Sequence, residues 1–486
     1  MTEPREPHLD PRDEQEWEEA RRAAHRLVDR VLDQHRGLRD GACWTPVPEP
    51  VKDALRAPAP RQGLGLERAL ELAEALVEPY SSGNRHPRFW GWVKGAGTIP
   101  GLLGQWLATG LNANAFGGDQ GAVFLELQVL EWFRAGMGFP AGSSGLLVDG
   151  GSMANILGLA VARHRATGGR CKTEGPEACL GLRIYGSEAP HNSIQKGAEL
   201  LGLGTRGVRL VATDGRGRLD LAALERALEE DLRSGLRPFC VVGSACTVGT
   251  GAIDPLLAMR ELADRYGLWL HVDGAIGALG RFSERLRPRF AGMERADSLA
   301  FDLHKWGQVP YDAGCLLVRD GELHREAFQV GAKYLGTLEG GFTPHGCHMF
   351  HAYTPLLSRS DRALKIWLTI QALGLERWAA IFEKNADQAA WLGERVAADP
   401  DLELLAPTDL NILCFRFRGG LADGPLLDRI NERILVQLQE TGFCVMSPFR
   451  LQDRFCLRVA IANHRTERAD LEALARRVVD AGKRLA

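Results

Sequence analysis

SLAFDLHKWGQVPYDAGCLLVRD, residues 298–320, sets two short apolar runs around a single lysine. The runs SLAFD and AGCLLVRD read as strands. Between them Lys305 stands beside His304 and Trp306. An ammonium group among apolar residues is costly to bury. A desolvated lysine gives up its proton more readily, and its neutral amine forms a Schiff base with a carbonyl compound. The competing reading is a lysine that snorkels from a strand end, and this stretch alone does not choose between the two.

Working outward, similar runs recur: GLLVDG, LRIYGS, VRLVAT, FCVVGSA and LWLHVDG. Helical stretches such as ANILGLAVARHRA and LAALERALEEDLR separate them. Strands alternating with helices predict an α/β fold with a mainly parallel sheet and helices on both faces. Ligands of such sheets bind beyond the carboxyl ends of strands. Residues 1 to about 14 read as disordered, and EQEWEEARRAAHRLVDRVLDQHRGL as an amphipathic helix. The Pro-rich TPVPEPVKDALRAPAPRQG reads as a linker. RALKIWLTIQALGLERWAAIFEKNADQAAWLGERVAA predicts one long helix, and LNILCFRFRG, GFCVMSPF and FCLRVAIA predict strands of a smaller unit. The expected organisation is a helical arm over 1–95 that packs on a partner subunit, a large domain over 96–375 and a small domain over 376–486.

Composition narrows the function. The chain has 486 residues, 45% hydrophobic and 25% charged, with a net charge of −3. No basic field points to nucleic acid or an anionic membrane. The acidic, polar N-terminus has no apolar core of a signal peptide, and no apolar run reaches membrane-spanning length. The ten cysteines have no C-x-x-C pair and read as buried thiols of a cytoplasmic protein.

Five further features follow the strand-like runs. In GLLVDGGSMAN, a strand enters Gly150, Gly151 and Ser152 as a helix begins, and helix-terminal N–H groups with a serine hydroxyl suit a phosphate. In YGSEAPHNSIQKG, His191 heads a helix, as a cap or as a ring that stacks on an aromatic ligand. In CVVGSACTVGTGAIDP, Thr247 can hydrogen-bond a ring substituent, and Asp254 reads as a supporting or turn residue. In LWLHVDGAIGA, Asp273 ends a strand, and a carboxylate there can hold a pyridine nitrogen protonated, which makes the ring an electron sink. Ala275, two residues on, leaves room for a flat ring. Each feature can also be read as a cap or turn, but their fixed order along one sheet points to one site.

With HPRFWGW (86–92), GGSMAN (150–155), APHNSIQKG (189–197), HVDGAIG (271–277), DLHKW (302–306), SRSDRALKIW (358–367) and LRVAIANHRT (457–466), the chain resembles the group II decarboxylases that depend on pyridoxal 5′-phosphate (PLP), the family of aromatic-L-amino-acid and glutamate decarboxylases. The resemblance implies PLP fold type I, aminotransferase-like, in a homodimer with its active site at the subunit interface. It implies that Lys305 is the Schiff-base lysine and Asp273 the partner of the ring nitrogen. Ala275 lies against the ring, His191 stacks on it, and Gly151 and Ser152 contact the phosphate. Thr247 and His304 are further cofactor-site residues. Arg458 is expected at the substrate carboxylate and Trp92 at the substrate side chain. The stretch Phe89-Trp90-Gly91-Trp92 favours an amino-acid substrate with an aromatic or apolar side chain, while Arg85, Arg88 and Lys94 nearby also admit an acidic one.

The family also places a proton-donating tyrosine in a loop before SRSDRALK, here GTLEGGFTPHGCHMFHAYTPLL (336–357). Aligned without gaps that position is Phe350, and with a short gap it is Tyr353, which we take as the donor. A phenylalanine there is associated in the family with aldehyde-forming oxidative chemistry. The residues also admit a carbon–carbon lyase of the retro-aldol type and a PLP-binding pseudoenzyme. The histidines and Cys347 of this loop read as acid–base groups of a moving segment, not as a metal site.

Overall fold

The computed structural model describes residues 8–188, 190–331 and 338–486. Residues 1–7 of the stretch expected to be disordered, Ala189 of the APHNSIQKG match, and Gly336 and Thr337 at the head of the loop lie outside the described residues.

Asp13 accepts a hydrogen bond from the Glu16 amide and starts helix α1 (Glu14–Gly37). The Pro-rich stretch is not all linker. It contains a short helix, α2 (Glu49–Ala54), with Pro50 in the first turn, where a missing N–H leaves no bond unmade. Helices α3 (Leu66–Leu76), α4 (Ile99–Leu111) and α5 (Gly121–Met137) follow.

Strands β1 (Ser144–Val148), β2 (Leu182–Ser187), β3 (Val208–Val211), β4 (Arg237–Ser244), β5 (Trp269–Asp273), β6 (Ser298–Asp302) and β7 (Gly314–Val318) form one seven-stranded sheet in the order β1-β7-β6-β5-β4-β2-β3. β7 runs against both of its neighbours, and the other pairings are parallel. Every residue of β5, β6 and β7 is buried, as a sheet covered by crossover helices requires. Those helices are α6 (Gly151–Thr167), which lies along β4 to β7, α7 (Asn192–Leu200), α8 (Leu221–Arg233), α9 (Leu256–Tyr266) and α10 (Gly321–Phe328). This is the mainly parallel α/β architecture of PLP fold type I.

The single long helix expected after Arg362 is two helices, α11 (Ala363–Leu373) and α12 (Leu375–Ala397). Gly374 breaks them apart at φ +76, a left-handed value that glycine takes without a Cβ clash. Beyond α12, strands β8 (Leu402–Leu404), β9 (Ile412–Phe417), β10 (Ser447–Leu451) and β11 (Arg454–Ala460) pair antiparallel in the order β10-β11-β9-β8. Only the second half of GFCVMSPF is strand; its first residues are loop. Helices α13 (Pro425–Glu440) and α14 (Arg468–Leu485) close a second core around Leu392, Phe415, Leu457 and Leu474.

One buried ion pair positions the start of α6. The Arg359 guanidinium meets Glu126 at 2.6 Å and also donates to the Leu147 and Ala115 carbonyls. The other face of the arginine is used too, since its guanidinium carbon lies 4.6 Å from the centre of the Phe350 ring. The end of β1, and hence the turn into α6, is therefore tied to the SRSDR segment.

Nine of the 13 histidines (35, 86, 164, 191, 271, 304, 324, 348 and 464) are pushed below the ordinary imidazole value, chiefly by burial, His271 to about 4 and His324 to about 3. Unfolded histidines titrate near ~6.5. The unfolded chain therefore binds protons that the folded chain refuses, and stability present above ~6.5 is lost as pH falls towards the folded values, by up to about 1.4 kcal/mol per pH unit for each such group. The carboxyls of Asp254, Glu126 and Asp361, pushed up by burial, oppose this over part of the window but are fewer. The urea midpoint is expected to be lower at pH 5 than at pH 7.5; an equal or higher midpoint at pH 5 would contradict the burial of these imidazoles.

Among the described residues no helix is long and apolar enough to cross a membrane. All ten cysteines are free, nine of them buried.

Candidate active site

The carboxyl ends of β4, β5 and β6 open onto one cavity of about 180 Å³. Its lining includes Lys305, Asp273, Ala275, His191, Thr247 and Trp92. Six residues picked from five separate sequence stretches therefore meet at one point.

Lys305 leaves the end of β6 and its Nζ pairs with Asp302 Oδ2 at 2.7 Å. The lysine is thus ion-paired, not an isolated amine among apolar groups. Asp302, almost fully buried, also accepts from the Gly151 amide at 2.6 Å through Oδ1 and lies 3.7 Å from His304 Nε2. His304 is fixed by the Ala313 amide, which donates to its Nδ1, and by stacking on Tyr311 at 4.2 Å.

Asp273 is held from two sides. Oδ1 accepts from the Ala275 amide at 3.0 Å and Oδ2 from Asn155 Nδ2 at 2.9 Å. Asn155 is in turn locked, donating to Ser193 Oγ at 2.9 Å and facing His271 Nε2 with its oxygen at 2.8 Å. Burial keeps His271 neutral, so Nε2–H donates to Asn155 and Nδ1 accepts from Ser298 Oγ, at 2.7 Å. Ser298 Oγ accepts from Trp269 Nε1 at 2.7 Å. The chain of bonds leaves every member satisfied and gives the Asp273 carboxylate one orientation. Sequence reasoning missed Asn155 and His271 as site residues. Their signals were present: Asn155 is one helical turn beyond Gly151, and His271 shares a strand face with Asp273.

His191 bears out the capping reading, and its ring is open to the cavity. Its Nδ1 caps α7 by accepting from Ser193, and its ring lines the cavity. Thr247 also lines the cavity, but its hydroxyl oxygen accepts the Ala252 amide of its own turn at 3.1 Å. Asp254 is a buried turn residue that accepts from the Leu219 and Ser244 amides.

The start of α6 fits a phosphate group. No side chain caps it, and a Cβ on Gly151 would come within 2.8 Å of Asp302 Oδ2 and 3.1 Å of Ala275 Cβ, so glycine keeps that approach open. Ser152 is exposed in the same first turn and does not line the cavity.

Two expected residues lie elsewhere. The buried Arg458 guanidinium is behind the cavity wall, donating through Nε to the Gly249 carbonyl and through Nη1 to the Trp92 carbonyl, both at 3.0 Å. Tyr353 is not in the cavity of its own chain; it stacks on His348 at 5.3 Å and meets the edge of His324 on α10. Phe350, the ungapped match to that position, is fully buried under Arg359.

Known proteins share these features. Residues 48–418 match the family model described as the pyridoxal-dependent decarboxylase conserved domain. An aromatic-L-amino-acid decarboxylase of Bacillus atrophaeus is 30% identical over 461 residues, 92% of each chain. Tyrosine decarboxylase 4 of Petroselinum crispum is 27% identical over 93% of this chain and 91% of its own. The crystal structure of Oryza sativa TDC with PLP and tryptamine superposes with a TM-score of 0.89 at 22% identity, covering 98% of this chain and 99% of that one.

Proposed function

Because the chain belongs to the pyridoxal-dependent decarboxylase family, we propose that the cavity at Lys305 is where it removes the carboxylate of an aromatic or apolar L-amino acid. The enzyme is a PLP-dependent carboxy-lyase acting on an amino acid. The observation that carries the siting is the convergence of Lys305, Asp273, His191 and Ala275 on one cavity at strand ends.

When bound, PLP supplies a protonated ring that accepts the electron pair left behind as carbon dioxide departs. Lys305 would hold the cofactor through its amine, which is the one lysine amine in the cavity lining among the described residues. Asp273 keeps the proton on the ring nitrogen by charge pairing, in the orientation Asn155 imposes. His191, whose ring lines the cavity, would cover the cofactor ring and help exclude water from the reacting carbon. Gly151 and Ser152 at the start of α6, with His304, would hold the phosphate end, and Thr247 would face a ring substituent. Trp92 would contact the substrate side chain, and Arg458, bonded to the Trp92 and Gly249 carbonyls, acts from behind the wall by holding that stretch in place.

The proton that replaces carbon dioxide comes from Tyr353 in this reading. Since Tyr353 packs outside the cavity of its own chain, a homodimer supplies it across the subunit interface. A stripe on α4 supports such an interface: Leu103, Leu107 and Leu111 recur at one-turn spacing and are 43%, 53% and 62% exposed. Cytoplasmic residence fits the ten free thiols.

A panel of amino acids with product mass spectrometry tests the proposal. An amine and carbon dioxide from tyrosine, phenylalanine or tryptophan is the expected outcome. An aldehyde with ammonia and hydrogen peroxide would assign the oxidative chemistry instead, and aldehyde without carbon dioxide a retro-aldol lyase.

A further inference from the structure

An anion already stands where the start of α6 would take a phosphate. Gly150, the residue before the helix, supplies no side-chain cap. The Gly151 amide instead donates to Asp302 Oδ1 at 2.6 Å, a carboxylate at the end of β6. Helix starts favour negative charge, so Asp302 fills the electrostatic role that a phosphate would fill. The backbone is shaped for this approach. A Cβ on Gly151 would meet Asp302 Oδ2 at 2.8 Å, and one on Gly314 of β7 would meet Gly150 Cα at 2.5 Å. Asp302 is 2% exposed, so solvent screens it little.

The other oxygen of Asp302 holds Lys305 Nζ at 2.7 Å. Asp302 therefore occupies two groups that cofactor loading needs, an amide for the phosphate and the amine for the aldehyde. Among the described residues, Lys305 is the one cation in contact with it. The other titratable groups that face Asp302 are neutral near pH 7. His304 Nδ1 accepts from the Ala313 amide, so its neutral ring turns Nε2–H towards Asp302, 3.7 Å from Oδ1. Burial holds His304, and His191 at the head of α7, below the ordinary imidazole value. It holds the Tyr311 phenol and the Cys315 thiol of β7 above theirs.

We propose that Asp302 is a placeholder anion, a positioning residue that fills the phosphate place in the cofactor-free chain and takes up one proton from solvent when the cofactor's phosphate arrives. Before loading, the Lys305–Asp302 pair has no net charge. Loading joins the Lys305 nitrogen to the aldehyde carbon, whose oxygen leaves as water, and brings a phosphate dianion to the Gly151 amide. A carboxylate left there would be a buried charge beside two of its own sign. As a carboxylic acid, Asp302 has an O–H to donate to a phosphate oxygen. A proton bound on loading makes cofactor affinity fall as pH rises. The inference rests on the PLP reading of the cavity and adds to it a control on loading.

The test titrates the cofactor-free protein with PLP at pH 6.5, 7.5 and 8.5, following absorbance, for the parent and for Asp302→Asn. Asparagine keeps an acceptor for the Gly151 amide, offers an NH2 to the phosphate and needs no proton. The parent's dissociation constant divided by the variant's is expected to rise at least about tenfold from pH 6.5 to 8.5. A second measurement needs no variant. Calorimetry of the parent at pH 8.5, in two buffers of different ionisation enthalpy, counts protons taken up with PLP and with pyridoxal, which lacks the phosphate. A phosphate ester, with its second pKa at about 6, is already a dianion at that pH. PLP is expected to bring in about one proton more than pyridoxal. A smaller rise in the ratio, or equal proton counts, overturns the placeholder and leaves PLP at Lys305. No covalent retention of PLP by the parent after borohydride overturns the functional reading and the placeholder with it.

Discussion

Lys305→Ala is expected to lower carbon dioxide release by at least about 10³-fold, the scale on which loss of a covalent catalytic group is felt. No other lysine lines the cavity among the described residues. The variant also leaves the buried Asp302 without its partner at 2.7 Å, with the Gly151 amide still donating to it. Removing one member of a buried pair costs stability on its own account. Lys305→Arg separates the two effects, because a guanidinium keeps the positive charge yet cannot form the covalent link. After borohydride treatment, intact mass should show PLP retained by the parent chain and by neither variant. Covalent retention in Lys305→Arg, or turnover within tenfold of the parent, would remove Lys305 from its role.

Asp273→Asn should leave covalent retention of the cofactor in place and lower kcat by roughly 10²–10³-fold, the cost of losing one preorganised electrostatic partner. The reason is local. Both Asp273 oxygens face donors, the Ala275 amide and Asn155 Nδ2. An asparagine offers one acceptor and one NH2, so one of those donors meets a donor and the negative charge is gone. A proton on the ring nitrogen then loses its counter-charge. Single-turnover measurement of carbon dioxide release, with borohydride trapping alongside, checks both halves. Unchanged kcat would mean that Asp273 does not sustain the electron sink.

The sequence by itself carried the order of the sheet residues and the chemistry at strand ends. SLAFD, LWLHVD and LRIYGS are short, apolar and bounded by turns, and burial on both faces of a covered sheet writes that pattern directly into composition. Lys305, Asp273 and Ala275 were legible because each lies within a few residues of such a run. The break between α11 and α12 was less visible, since Gly374 sits in an otherwise unbroken helical pattern and only its φ of +76 declares the bend.

Tertiary structure alone decided what surrounds those residues. The bond from Asn155 to Asp273 joins positions 118 apart, and that from Asn155 to His271 positions 116 apart. Periodicity reports which side of an element is buried, not which distant partner meets it. The same holds for Arg458, a strand residue whose two carbonyl partners come from other parts of the chain, and for Tyr353, which meets the edge of His324 on α10.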